Sequence, residues 1–472
     1  MRRCVTRGTN RPSLGCFEPL PLDSISSGCN IVLTMWLLNI FSILSRIIGP
    51  IFYRLRISGE SVPRNGPVLL VANHPNSLFD PVLVMAAARR KVRFLGKAPL
   101  FSDPLVGWLV RGSGSIPVYR RQDDPALTAK NEDMFRAVHD VISEGAAVAI
   151  FPEGISHNEP SLTPLKTGAA RIALGAAAKL GGSFPIIPVG LVFRQKERFR
   201  SEAQAVVGEP VEWEDLSSKT VGDVEAVREL TRRIDESLRT VTVNLEDWED
   251  KPVVECALSI WETANDKAPD PAASVARLKI TTQILRAVRE AEEPKYESLI
   301  RDIREHGKRL ERFGLTPRDL RRDTKATAAI SWSARRLFLL SMPSALMAAI
   351  GFIFFWLPYR LTGIVASRMA KLPDQVSIHK LLLGIVFYGT WLIGVSIGAA
   401  VLFNFVAALT VLLALPLVAI IGRRIRERWR GAWDDARSFM LLRSRREFVD
   451  KMRDAQAGLE KRLDEVYMRH AG

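Results

Sequence analysis

The string Val71-Ala72-Asn73-His74-Pro75-Asn76-Ser77-Leu78-Phe79-Asp80 sets a histidine just behind an apolar run and a carboxylate further on, with five residues between them. A neutral imidazole steadied by a carboxylate can take the proton of an alcohol while that oxygen attacks a carbonyl. The pair therefore suits transfer of an acyl group to a hydroxyl. The same residues also make a helix start, with Ser77 as cap and Asp80 at the third position, where the helix dipole favours a carboxylate. That arrangement leaves His74 at the carboxyl edge of a strand, where open α/β sheets hold their ligands.

Further blocks follow: Gly114-Ser115-Ile116-Pro117-Val118-Tyr119-Arg120, then Phe151-Pro152-Glu153-Gly154, then Ile187-Pro188-Val189. Lys166, Arg171 and Lys97 could each reach a phosphate, although solvated surface charge accounts for Lys166 equally well and for the other two better. His157, just past Gly154, is a weaker second base. No Gly-x-Ser-x-Gly elbow occurs; Gly112-Ser113-Gly114-Ser115 has the residue types without the spacing. No metal-ligand cluster and no Gly-rich phosphate loop is present, so no metal is expected and nucleotide hydrolysis is disfavoured.

The elements that must position these residues alternate. Val68–Ala72, Val92–Leu95, Ala147–Phe151 and Ile186–Phe193 read as buried strands, and 80–90, 126–144, 164–180 and 222–240 as helices. This predicts an α/β domain over 57–243 with a central, mostly parallel sheet flanked by helices. Residues 244–332 are highly charged with a helical stripe at Val275, Leu278, Leu285 and Val288, a soluble helical insert without assigned chemistry.

In order and spacing the four blocks resemble the glycerolipid acyltransferase family (PlsC-like), the lysophosphatidate and glycerol-3-phosphate acyltransferases and their relatives, over roughly residues 55–240. The resemblance implies His74 as general base, Asp80 as its orienting partner, Arg120 on the acceptor phosphate, and Glu153 and Gly154 shaping the acceptor site. Ile187-Pro188-Val189 looks like the fourth block, tied to the acyl-donor side or to structure. The commonest family pattern has one residue fewer between His and Asp; here the extra one falls in the turn after His74, which can absorb it without rotating the helix that carries Asp80. Relatives commonly carry Arg-Ser near the position of His157. Asn-His-Pro-Asn is similar to a subgroup of fungal glycerol-3-phosphate/dihydroxyacetone-phosphate acyltransferases, which also carry an insert and C-terminal membrane segments. The implied acceptor is glycerol-3-phosphate or dihydroxyacetone phosphate, with lysophosphatidate as the alternative. Acyl-CoA or acyl carrier protein would be the co-substrate, with no further cofactor. A reading of another class is a non-catalytic membrane protein that binds anionic lipid.

Composition points to a membrane. The net charge of +15, from 66 Lys and Arg against 51 Asp and Glu, suits an anionic partner. The basic residues crowd beside apolar runs and no nucleic-acid motif occurs, so lipid is the expected partner and nucleic acid is not. Leu337–Leu357 contains 21 residues without a charge and Leu381–Ile421 contains 41. The longer run reads as a hairpin turning near Asn404, with spans at 381–402 and 404–421; the first run, with Pro343 inside it, reads as either re-entrant or spanning. The membrane region is 333–422. Residues 31–56 read as an interfacial helix and 1–30 as a disordered leader, with Met35 an alternative start. The tail, 423–472, reads as either a surface helix on anionic headgroups or a solvated coil. Basic flanks and four scattered cysteines put the catalytic domain on the cytoplasmic face of an integral membrane protein.

Overall fold

Val68–Ala72 (β2) is apolar at every position and buried on both faces, as a central parallel strand must be. In a computed structural model, which describes residues 28–470 apart from 104–105, 120–130, 246, 266–270, 291–293, 323–341 and 371–374, it lies mid-sheet. Its companions are β1 (Arg54–Gly59), β3 (Val92–Lys97), β4 (Ile116–Val118), β5 (Ala147–Ile150), β6 (Ile186–Phe193) and β7 (Glu202–Val207), in the order β1-β7-β6-β2-β5-β3-β4. All neighbours pair in parallel except β6 and β7, so β7 and β1 run opposite to the other five.

The strand alternation divides the core. Val68, Leu70 and Ala72 face α1 (Gly28–Phe52) and α2 (Asp80–Ala88), packing with Phe52, Phe79 and Leu83. Leu69 and Val71 face α4 (Asn131–Ser143), α5 (Gly168–Leu180) and α6 (Val224–Val241), packing with Val138, Ile172 and Leu230. A short α3 (Gly107–Gly112) leads into β4. Gly190 lets α6 close onto the sheet: a Cβ there would stand 1.9 Å from the carbonyl oxygen of Val241. The sheet is thus mostly parallel and flanked by helices, as the sequence pattern predicts.

Three strands go beyond that pattern. β4 is only three residues long, and β7 and β1 form the reversed edge. Arg54 and Arg56 belong to β1 and not to the preceding helix, because α1 ends at Phe52. The charged residues of β1 are tolerated because it is an edge strand with one row of backbone groups unpaired.

Beyond the sheet, α7 (Lys251–Ala264), α8 (Pro271–Glu290) and α9 (Pro294–Phe313) form a helical layer. The tail is neither a solvated coil nor a free surface helix. Its α13 (Arg446–His470) returns to that layer, burying Leu459, Leu463 and Val466 against Val253, Ile260 and Ile303. Between them stand α10 (Met342–Met369), α11 (Val376–Leu402) and α12 (Phe405–Ser444). Ser344–Met369, Val376–Leu402 and Phe405–Ser444 are each long and apolar enough to cross a membrane. The first continues through Pro358 as one helix. Asn404 caps α12, its side chain accepting from the Ala407 N–H at 2.8 Å.

Candidate active site

β2 and β5 are neighbours in register, Val71 beside Ile150, an offset of 79 residues. That offset persists past the strand ends. The His74 N–H donates to Glu153 Oε1 at 2.9 Å, and the Ser77 N–H to Ser156 Oγ at 3.0 Å. The first and third blocks are therefore laced together at the carboxyl ends of adjacent parallel strands. On the other side Asn73 extends the pairing toward β6: its side chain donates to the Leu191 carbonyl at 3.0 Å and accepts the Leu191 N–H at 2.7 Å.

His74 Nδ1 lies 2.8 Å from Asp80 Oδ2. Asp80 is fully buried, whereas the His74 side chain keeps 19% exposure. The imidazole stacks on Phe151, with centroids 4.0 Å apart and planes at 10°. A carboxylate oxygen accepts, so the proton sits on Nδ1 and the lone pair of Nε2 is left for a substrate. Burial pushes the Asp80 carboxyl above its ordinary range, opposed by its hydrogen bonds with His74 and the Asn76 N–H and by the nearby charge of Lys196.

The extra residue of the turn is accommodated in a way that spacing did not reveal. Ser77 does not cap the helix; it opens a short 3₁₀ turn, Ser77–Phe79, with φ at 49°. Asp80 begins α2, and its Oδ2 accepts the Asn76 N–H at 2.7 Å. The five-residue spacing needs this reversal, and a non-glycine residue in the left-handed region costs about 1 kcal/mol. Asn76 is wholly buried, and its side chain donates to the Tyr53 hydroxyl at 2.8 Å. That phenol also meets Ser377 Oγ at 3.0 Å, at the start of α11, and the Lys196 carbonyl. Lys196 Nζ in turn donates to the Pro75 carbonyl at 2.6 Å. The turn carrying the His–Asp pair is thus tied to the first residues of a membrane-type helix.

Glu153 is buried, with both oxygens engaged. Besides the His74 N–H, it accepts the Thr163 N–H at 3.1 Å, the Thr163 hydroxyl at 2.9 Å and His157 Nε2. Burial raises its pKa, but the hydrogen bonds and charge of His157, with the Thr163 and His74 N–H groups, outweigh that and hold it below the ordinary range. His157 Nδ1 meets the Glu159 N–H at 3.1 Å and its Nε2 meets Glu153, so neither nitrogen is offered as a second base. Gly154 takes φ at 74° beside Lys166, whose Nζ lies 2.6 Å from where a Cβ would stand.

His74, Glu153 and His157 border a groove of about 690 Å³, whose wall mixes cations such as Arg56, Arg194 and Lys251 with carboxylates such as Glu159, Glu202 and Glu255. Lys166 is exposed and does not line it. Arg120 lies outside the described residues. Tyr53, Asn73, Asn76 and the groove's cations carried no spacing signal in the sequence. Only the run Asn-His-Pro-Asn hinted that the asparagines mattered.

Comparison with known proteins covers the segment that holds this pair. The family described as Acyltransferase matches residues 54–192. Glycerol-3-phosphate O-acyltransferase 2 of Saccharomyces cerevisiae is 35% identical over 145 residues, 30% of this chain and 20% of that protein. Glycerol-3-phosphate O-acyltransferase 1 of the same yeast is 25% identical over 446 residues, 71% of this chain and 57% of the relative. The chloroplastic 1-acyl-sn-glycerol-3-phosphate acyltransferase BAT2 of Brassica napus is 30% identical over 143 residues, 30% of this chain and 38% of the relative. The chain spans between 20% and 57% of the length of these curated relatives. Residues 54–192 therefore match the acyltransferase family, and the His74–Asp80 pair at the strand ends falls inside that match.

Proposed function

We propose that this protein is a membrane-bound O-acyltransferase that moves a fatty acyl group from a thioester to the hydroxyl of glycerol-3-phosphate or dihydroxyacetone phosphate. The observation that carries this reading is the 2.8 Å contact between His74 Nδ1 and Asp80 Oδ2, with the aspartate sealed in the core and the imidazole bordering the groove. Nε2 of His74 takes the hydroxyl proton while the oxygen attacks the thioester carbonyl. The new C–O bond forms, the C–S bond breaks, and the departing sulfur receives the proton from the imidazolium. Asp80 stabilises the positive ring formed in between. Glu153 and Gly154 fix the His74 backbone and the floor beside it, while Arg120 and the groove's cations hold the acceptor phosphate.

The yeast relatives named for glycerol-3-phosphate support that acceptor. The plant relative named for 1-acyl-sn-glycerol-3-phosphate supports lysophosphatidate as the second reading. The catalytic domain belongs on the cytoplasmic side. Basic residues flank both ends of the α11–α12 hairpin, and the domain contacts both ends, through Ser377 and through Arg200, which pairs with Glu427 at 3.0 Å.

Membranes carrying the protein, supplied with labelled acyl-CoA and either acceptor, test the reading, with His74→Ala as control. Labelled lysophosphatidate from glycerol-3-phosphate, lost in the variant, is the expected result. Transfer only to lysophosphatidate moves the enzyme to the second reading. Activity retained in His74→Ala refutes the mechanism, and lack of transfer from either acyl-CoA or acyl carrier protein favours a non-catalytic lipid-binding protein.

A further inference from the structure

A second cavity, of about 630 Å³, opens beside β1 and gathers Arg46 of α1, Arg64, and Arg89 and Arg90 at the end of α2. Leu55 and Ile57 of β1 face it, whereas Arg56 between them faces the groove of His74. Successive strand residues point to opposite faces, so the two cavities are separate.

Four arginines line this space with no acidic residue among its walls. Among the described residues none of the four forms an ion pair with a carboxylate. Arg90 is fastened to the carbonyls of Pro63, Gly66 and Gly145 at 2.7, 2.9 and 3.2 Å, and Arg46 donates to the Arg89 carbonyl at 2.5 Å. Four like charges around one space repel one another, and an anion relieves that repulsion. Arg89 also occupies the left-handed position that ends α2, at φ 51°, where glycine is the easy choice.

Position supplies the source of the anion. Pro50, in the cavity wall, accepts from Arg200 Nη1 at 2.6 Å, and Arg200 is paired with Glu427. Glu427 lies in the arginine-rich stretch of α12 immediately after its apolar run. The cavity therefore stands at the basic margin of the membrane-type helices. Leading from it along α1, Ile43, Ile47 and Ile51 form one exposed stripe at helical spacing, 58%, 49% and 47% accessible.

We propose that this cavity binds the phosphate of an anionic phospholipid from the surrounding bilayer, with Arg46, Arg64 and Arg89 on the headgroup and the acyl chains along Ile43 and Ile47. The site is a second lipid site, independent of the acceptor groove.

The test uses the full chain in neutral detergent, titrated with dioctanoyl phosphatidylglycerol, dioctanoyl phosphatidylcholine or inorganic phosphate, with affinity read by tryptophan fluorescence. Phosphatidylglycerol is expected to bind saturably and phosphatidylcholine weakly. Arg64→Ala combined with Arg89→Gly should weaken the anionic lipid about tenfold or more through the loss of two charge-assisted contacts. Arg89→Gly keeps the carbonyl that Arg46 uses and relieves the positive φ, so its melting temperature should not fall. His74→Ala should bind as the unaltered protein does. Unchanged affinity in the double variant, equal binding of phosphatidylcholine, or loss of binding in His74→Ala overturns the proposal. Displacement of the lipid by inorganic phosphate at similar concentration makes this a free-phosphate site and overturns the lipid assignment.

Discussion

Asp80→Asn separates the chemistry of the His–Asp pair from its architecture. The substitution keeps the side-chain shape and an oxygen for the Asn76 N–H and His74 Nδ1, now 2.7 and 2.8 Å from Oδ2, but removes the charge that stabilises a protonated His74. Hydrogen bonds to a charged group contribute about 1.5–3 kcal/mol, and here that stabilisation is realised as the imidazole takes the substrate proton. At 1.36 kcal/mol per decade, kcat should fall roughly 10- to 150-fold. KM for the acceptor should change little, because Asp80 is sealed from the groove. Stability should move the other way. Burial raises the Asp80 pKa in the fold, so the native state holds its proton more tightly than the unfolded chain. The favourable contribution is complete below the unfolded value of about 3.9 and is lost as pH rises through the higher folded value. At neutral pH the buried charge therefore opposes folding, and Asp80 Oδ1 has no hydrogen-bond partner among the described residues. The variant should melt at or above the temperature of the unaltered protein at pH 7, with the difference shrinking toward pH 4. Acyl transfer measured beside thermal melting checks both halves. A kcat within twofold would refute the proton-transfer role, and a melting temperature several degrees lower would make Asp80 a structural residue.

Tyr53→Phe should leave the buried Asn76 amide without its acceptor, at about 1–3 kcal/mol, lowering the melting temperature by a few degrees and kcat more than KM. Burial keeps that phenol protonated well above its ordinary range, so its loss should act alike from pH 6 to 9, which a pH–rate profile checks. Gly190→Ala would put a methyl 1.9 Å from the Val241 carbonyl oxygen. The backbone of α6 must shift, and thermal or denaturant unfolding should show about 1–3 kcal/mol of lost stability.

The centre of the sheet was legible because central parallel strands are apolar at every position: Val68–Ala72 and Ile186–Phe193 coincide with the runs read from the sequence. Edge strands obey no such rule. Arg54–Gly59 alternates charge with apolar residues and resembles the basic end of a helix, and only its pairing with Glu202–Val207 makes it a strand. The packing of the helical tail escaped the sequence for a related reason. The apolar residues of Arg446–His470 are sparse among charges, and their partners lie on the distant helices that carry Val253, Ile260 and Ile303; Arg462 reaches Asp302 across the same gap, at a separation of 160. Local periodicity cannot register such a partner. At the site, His74 and Asp80 were legible because spacing carries the chemistry, whereas Tyr53 and Ser377 act through contacts that close only in three dimensions.

The longer His–Asp turn has a consequence for how chemistry and membrane are joined. With one residue more than the common pattern, the turn can bury Asn76 while still delivering Asp80 to His74. The Asn76 backbone then serves Asp80, and its side chain serves Tyr53, which closes the end of α1 and touches the first turn of α11. A displacement of α11 would be felt at the turn through two short hydrogen bonds and no flexible linker. Under the proposed acyl transfer, His74 gains from that rigidity, because a catalytic group must be held within about 0.5 Å of its productive position. The added residue is better understood as the coupling between the His–Asp pair and a membrane-type helix than as a departure that the fold merely tolerates.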